Sequence, residues 1–150
     1  YAGGDKKENG EIIGWSRIDP DKWLTKSIFS LKQDTRMLGE HIVQLGGRFL
    51  KEIIEKRNFD INSIDYFLPH LSSEFFRELI FKHLDEAGIS IPREKWFTNL
   101  SQVGNVATVS FILMLEELLR TKDVKKGQKI LIQVPESARF TYAYALLTVC

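Results

Sequence analysis

The 150-residue chain has one cysteine, Cys150, and it stands last. A lone thiol excludes a disulfide framework within the chain and a Cys-rich metal site. The three histidines, His41, His70 and His83, fit no metal-ligand spacing. His41 and His83 lie in helical stretches among charged or polar neighbours, and both are expected at the surface. No 18-residue apolar run occurs, so no helical membrane span is expected. A signal-peptide pattern is missing too: the N-terminus is glycine-rich and charged, and a reducing cytoplasm is the expected setting. An excess of one charge is likewise lacking, since 21 basic and 20 acidic residues leave +1. A nucleic-acid surface would need a clustered basic face. The runs Asp5-Lys6-Lys7-Glu8 and Lys122-Asp123-Val124-Lys125-Lys126 read instead as solvated turns. There is no initiator Met, and the opening Tyr1-Ala2-Gly3-Gly4 suggests a segment of something longer.

What is present is a core. Apolar residues make up 43 % of the chain, enough for one domain or one lobe of a larger fold. Residues 1–35 show no periodicity, and Gly3-Gly4, Asn9-Gly10 and Asp19-Pro20 are turn signals. A short strand is expected at Glu11–Trp15, with Trp15, Trp23 and Phe29 as aromatic anchors. From Thr35 to Arg57, Met37, Leu38, Ile42, Leu45, Phe49, Ile53 and Ile54 recur at helical spacing. Gly46-Gly47 inside that pattern signal a bend or the close approach of another backbone. Ile64–Leu68, ended by Pro69, reads as a buried strand. Ser72 or Ser73 is expected to cap a helix that runs to about Ala87 and stops at Gly88. A second short strand is expected at Trp96–Leu100.

Gly104-Asn105 opens a helix from Val106 to Leu119 whose first three turns carry no charge. A helix apolar on every side is expected to be buried on every side, which implies a partner layer beyond this chain. Gln128–Val134 and Phe140–Val149 are strands, and the five residues between them force an antiparallel hairpin. The order of elements gives an α/β fold with one antiparallel strand at its end.

Two polar residues stand out by position. His70 directly follows a buried strand, and in open α/β folds ligands bind beyond the carboxyl ends of strands. Asn105 is expected at a helix mouth, where it either caps the helix or turns its amide toward a ligand. A lone His at a strand end is more often structural, and a lone Asn there is usually a cap.

The ordered set of motifs resembles the type III β-ketoacyl-acyl-carrier-protein synthases, from about Met37 to Val149. Tyr66-Phe67-Leu68-Pro69-His70 is similar to that family's Pro-His motif. Gly104-Asn105 looks like its Gly-Asn motif. Lys125-Lys126-Gly127-Gln128-Lys129-Ile130-Leu131 resembles its turn into the penultimate strand, and Phe140–Ala145 takes the place of its closing strand. The resemblance implies a thiolase-like C-terminal lobe over residues 36–150, with residues 1–35 as its irregular N-terminal segment. A mixed five-stranded sheet with helices on both faces would go with it. It implies a homodimeric acyltransferase joining an acyl primer to malonyl-acyl carrier protein, with acyl carrier protein or CoA thioesters as partners and no cofactor or metal. His70 and Asn105 would be the catalytic pair, with Ser72, Ser73 and Arg139 as substrate-binding candidates. The nucleophilic Cys would lie in an N-terminal lobe; Cys150, at the end of a closing strand, is not suited to that role, so the chain by itself should be inactive. Departures from the pattern at Leu71-Ser72-Ser73, Val106-Ala107-Thr108 and Pro135–Arg139 point to a divergent branch. Two competing readings remain: a synthase-like partner subunit without condensing activity, and acyl transfer to an alcohol or amine without decarboxylation.

Overall fold

The computed structural model describes residues 4–30, 34–137 and 139–150. The chain divides between Leu38 and Gly39 into two compact units. In the first, strands β1 (Gly4–Lys6) and β2 (Ile12–Gly14) pair antiparallel. The Gly4 N–H donates to Ile28 O at 2.9 Å, and Ile28 is fully buried. Trp15, Trp23 and Phe29 gather edge to face, with ring centroids 5.5 Å apart for Trp15–Trp23 and for Trp23–Phe29. The expected strand and anchors of this segment are thus present.

Helix α1 runs Thr35–Arg57, as its periodicity predicts. The second unit then builds β3 (Tyr66–Pro69), α2 (Phe75–Glu86), the short α3 (Leu100–Val103), α4 (Ser110–Thr121), β4 (Lys129–Glu136) and β5 (Thr141–Thr148). Its sheet has the order β3-β4-β5, parallel between β3 and β4 and antiparallel between β4 and β5. Successive strand residues face opposite sides, so Leu68, Ile130 and Ile132 share one face while Phe67, Leu131, Gln133 and Tyr144 share the other. The first face packs on Met114 and Leu118 of α4. The second carries α1 and α2: the Tyr142 and Tyr144 hydroxyls donate to Ile42 O (2.7 Å) and Gly46 O (3.0 Å), and Trp96 meets Phe67 edge to face and Phe81 at a tilt. Helices therefore lie on both faces of a mixed α/β sheet. The five strands among the described residues split into this sheet of three and the separate hairpin, where the resemblance implies a single sheet of five.

The glycine pair in α1 marks close approach. A Cβ on Gly46 would lie 2.6 Å from the Tyr142 ring, and one on Gly47 would lie 3.2 Å from His83 O. In α1 the glycines therefore serve helix–sheet and helix–helix packing.

Three expectations are corrected. Trp96–Leu100 is no strand: it makes one parallel bridge to Phe67, and the chain then turns into α3, whose Gln102 and Val103 N–H groups donate to Asn99 O. The helix expected from Val106 begins only at Ser110, after a 3₁₀ turn at Ala107–Val109 in which Ala107 holds φ 53°. That helix is not buried on every side. Ser110, Met114 and Leu118 are inside, whereas Ile112 and Leu119 on the opposite face are about half exposed, at 52 % and 51 %. Among the described residues, α4 is covered on the side of Met114 and Leu118, which pack on the sheet.

Candidate active site

His70 follows the last residue of β3, and its position is fixed by backbone. Pro69 stands opposite Gln133 in the parallel register, and the His70 N–H donates to Gln133 O at 2.8 Å. This extends the ladder one residue beyond the strand. The side chain is buried, and Nδ1 finds no hydrogen-bond partner among the described residues. Burial disfavours the imidazolium and holds the pKa of His70 below its ordinary value. At neutral pH the ring is therefore uncharged, with one N–H donor and one acceptor nitrogen.

Asn105 sits in the loop between α3 and α4, not at the mouth of α4 as the sequence suggests. Gly104 precedes it with φ 73°, a left-handed conformation that glycine adopts without strain. Its N–H donates to Leu100 O at 2.9 Å and closes α3. The Asn105 side chain is exposed. Its Oδ1 accepts from the Ala107 N–H at 2.9 Å, which fixes the amide orientation, and Nδ2 points at Ser72 O, 3.5 Å away. The donor end of the amide is thus turned to the segment that leaves His70, and the Pro-His and Gly-Asn loops meet at Ser72.

The other candidates are placed as follows. Ser72 is exposed and enters through its carbonyl. Ser73 Oγ accepts from the Phe75 N–H at 3.3 Å, but the N-cap position of α2 is Glu74, without a side-chain cap bond, so neither serine is the helix cap expected. Arg139 is exposed and pairs with Glu136, Nε to Oε2 at 3.7 Å. Cys150 is exposed at the far end of β5. His41 is exposed, but His83 is not the free surface group expected. It is half-buried, with Nδ1 2.8 Å from Glu86 Oε2. No group of three or more metal-ligating side chains converges among the described residues, and no described helix is long and apolar enough to cross a membrane.

Two residues beside the site escaped the sequence reading. Gln133 is 1 % exposed; its Nε2 donates to the Tyr144 hydroxyl at 3.0 Å, and its Oε1 has no partner among the described residues. The signal was there, a lone Gln within Ile130-Leu131-Ile132-Gln133-Val134. Asn99 is buried, and its Nδ2 donates to Glu117 Oε2 at 2.6 Å, tying the segment ahead of α3 to α4. With Asn99 so anchored, the α3–α4 loop that carries Asn105 leaves from a fixed base.

Comparison with known proteins shows the family and the fold. Residues 54–147 match the model of the 3-oxoacyl-[acyl-carrier-protein] synthase III C-terminal domain. Over 127 residues the chain is 31 % identical to the β-ketoacyl-[acyl-carrier-protein] synthase III of Clostridium perfringens, which covers 77 % of this chain and 37 % of that protein. The crystal structure of the Thermus thermophilus synthase III aligns with 97 % of this chain at TM-score 0.70 and 21 % identity, over 39 % of its own length. Xanthomonas campestris OleA aligns with 77 % of this chain, and 32 % of its own, at TM-score 0.65 and 22 % identity. These neighbours give the fold, a thiolase-like lobe, and the chain spans under two fifths of the curated relatives it matches. It belongs to the 3-oxoacyl-[acyl-carrier-protein] synthase III family and carries that family's C-terminal domain.

Proposed function

We propose that the full-length protein condenses an acyl primer with a malonyl thioester, with loss of CO₂, and that His70 and Asn105 are the donors that make the decarboxylation possible. An N-terminal lobe supplies a cysteine, which takes the acyl group as a thioester and releases the carrier thiol. The malonyl C–CO₂ bond then breaks, and its electron pair moves into an enolate whose charge rests on the thioester oxygen. Two neutral N–H donors aimed at that oxygen stabilise the charge as it forms. The enolate carbon attacks the acyl-cysteine, and the cysteine thiolate leaves. Acyl carrier protein or CoA carries the substrates, and the working protein is a cytoplasmic homodimer.

The observation that carries this reading is the buried, uncharged imidazole of His70 with an unpartnered nitrogen, next to the loop that Asn105 Nδ2 engages. A buried polar atom without a partner calls for an explanation, and a substrate oxygen or an ordered water held for it provides one. The lowered pKa favours a donor over a general base, because a base works best with a pKa near the operating pH. This weighs against acyl transfer without decarboxylation.

The test is CO₂ release from malonyl-acyl carrier protein by the full-length protein. His70→Ala and Asn105→Ala should each lower the rate by about 10² to 10³. Unchanged rates in both folded variants would overturn the assignment.

A further inference from the structure

We propose that the cleft beside the C-terminal end of α1 binds a small organic anion, an apolar body with one carboxylate or sulfonate. The cleft encloses about 600 Å³, inside the range of roughly 300–1,000 Å³ in which small-molecule sites fall. Leu50 and Leu131, both buried, form its floor, and the Tyr144 ring and Leu146 form a wall. Its mouth carries two cations, Arg57 and Lys129.

Neither cation has a carboxylate partner among the described residues. Lys129 is half-buried, and its Nζ meets only Ser63 Oγ at 3.2 Å. A partly desolvated ammonium paired with a hydroxyl alone keeps its attraction for an anion. One carboxylate also lines the mouth, that of Asp60, but its Oδ1 is already engaged by the Asn62 N–H and Nδ2 at 3.0 and 3.1 Å. The carbonyls ending α1, of which those of Ile54 and Glu55 already accept the Phe59 and Asn58 N–H groups, add a partial negative charge. Two cations outweigh one occupied carboxylate and one helix end, so the mouth is positive over an apolar floor. A ligand that meets both must be apolar in its body and anionic at one end.

The site is separate from the one above. His70 lies beyond the carboxyl end of β3, whereas Lys129 begins β4, which runs parallel to β3. The cleft is therefore at the opposite end of the sheet, and the proposal does not depend on the condensing chemistry.

The test uses the full-length protein with methyl-labelled leucine and two probes, 2-naphthoate and its uncharged counterpart 2-naphthylmethanol. 2-Naphthoate should shift the Leu50, Leu131 and Leu146 methyl resonances saturably. The alcohol should bind about tenfold more weakly, the loss expected when one charge-assisted hydrogen bond is removed. Lys129→Gln and Arg57→Gln should each weaken 2-naphthoate by about the same factor and leave the alcohol unaffected. Absence of saturable shifts at those methyls, or equal affinity for acid and alcohol in the unmutated protein, overturns the proposal. So does an affinity for 2-naphthoate that neither substitution changes.

Discussion

Replacing Gly46 by Ala tests the packing of α1 on the sheet, because intrinsic propensity and packing predict opposite signs. In an unencumbered helix the change gains about 1 kcal/mol. At this position the new methyl carbon would lie 2.6, 2.7 and 2.9 Å from Cε1, Cζ and the hydroxyl of Tyr142, well inside the roughly 3.5–4.0 Å at which carbon contacts are attractive. The ring cannot simply swing aside, since its hydroxyl is bonded to Ile42 O at 2.7 Å. Overpacking costs about 1–3 kcal/mol, and straining the hydroxyl bond adds about 1 kcal/mol. Gly46→Ala should therefore destabilise by about 2 kcal/mol net. Gly39 is the internal control: it lies in the same helix with no described residue within 4 Å of its would-be Cβ, and Gly39→Ala should stabilise by about 0.5 kcal/mol. Thermal unfolding of both variants, with Gly46→Ala repeated in a Tyr142→Ala background, separates the effects. With the ring removed the Gly46 substitution should become neutral or stabilising. If Gly46→Ala raises the Tm of the unmutated protein as Gly39→Ala does, the packing argument is wrong.

Leu118 is fully buried among Leu68, Met114, Ile130 and Ile132; Leu118→Ala should cost about 2–5 kcal/mol in denaturant titrations. Glu117→Ala leaves the buried Asn99 amide without its acceptor and should cost about 1–3 kcal/mol, with Asn99→Ala/Glu117→Ala costing less than the sum of the two singles. The protein should lose stability as pH falls through about 6.5, the ordinary imidazole value. Burial keeps the folded-state pKa of His70 low, so below 6.5 the unfolded chain takes up a proton that the folded chain refuses. The loss levels off once the folded imidazole also titrates. His70→Gln should remove this component from a Tm–pH profile; an unchanged profile would contradict it.

Much of the second unit is legible in the sequence because its signals are local. The period of α1, the Pro that stops β3 and the short connection from β4 to β5 each act within a few residues. What the sequence obscures depends on pairs far apart. Val106–Val109 have the composition of a helix, yet the chain spends them on a turn, because Asn105 Oδ1 takes the Ala107 N–H and Ala107 adopts a positive φ. The uncharged start of α4 suggests burial on every side, but composition does not say which face this chain covers, and Ile112 and Leu119 stay about half exposed. His70 and Asn105 are singled out as candidates by motif order. Gln133, whose carbonyl holds the His70 backbone, is marked in the sequence only as a lone polar residue in an apolar strand; its register contact with Pro69 spans 64 residues of chain and has no local signal.

The two tyrosine bonds from β5 to α1 have a mechanical consequence. Ile42 and Gly46 are four residues apart on a helix that rises about 1.5 Å per residue, giving about 6 Å. Tyr142 and Tyr144 are two apart on a strand that rises about 3.4 Å per residue, giving nearly the same spacing. The helix and the strand thus mesh like two gears cut to a common tooth. Slipping α1 by one residue would disengage both hydroxyls, and in the direction that brings Leu45 to the place of Gly46 it would also drive a side chain into the Tyr142 ring, so the paired bonds hold the helix at one station on the sheet.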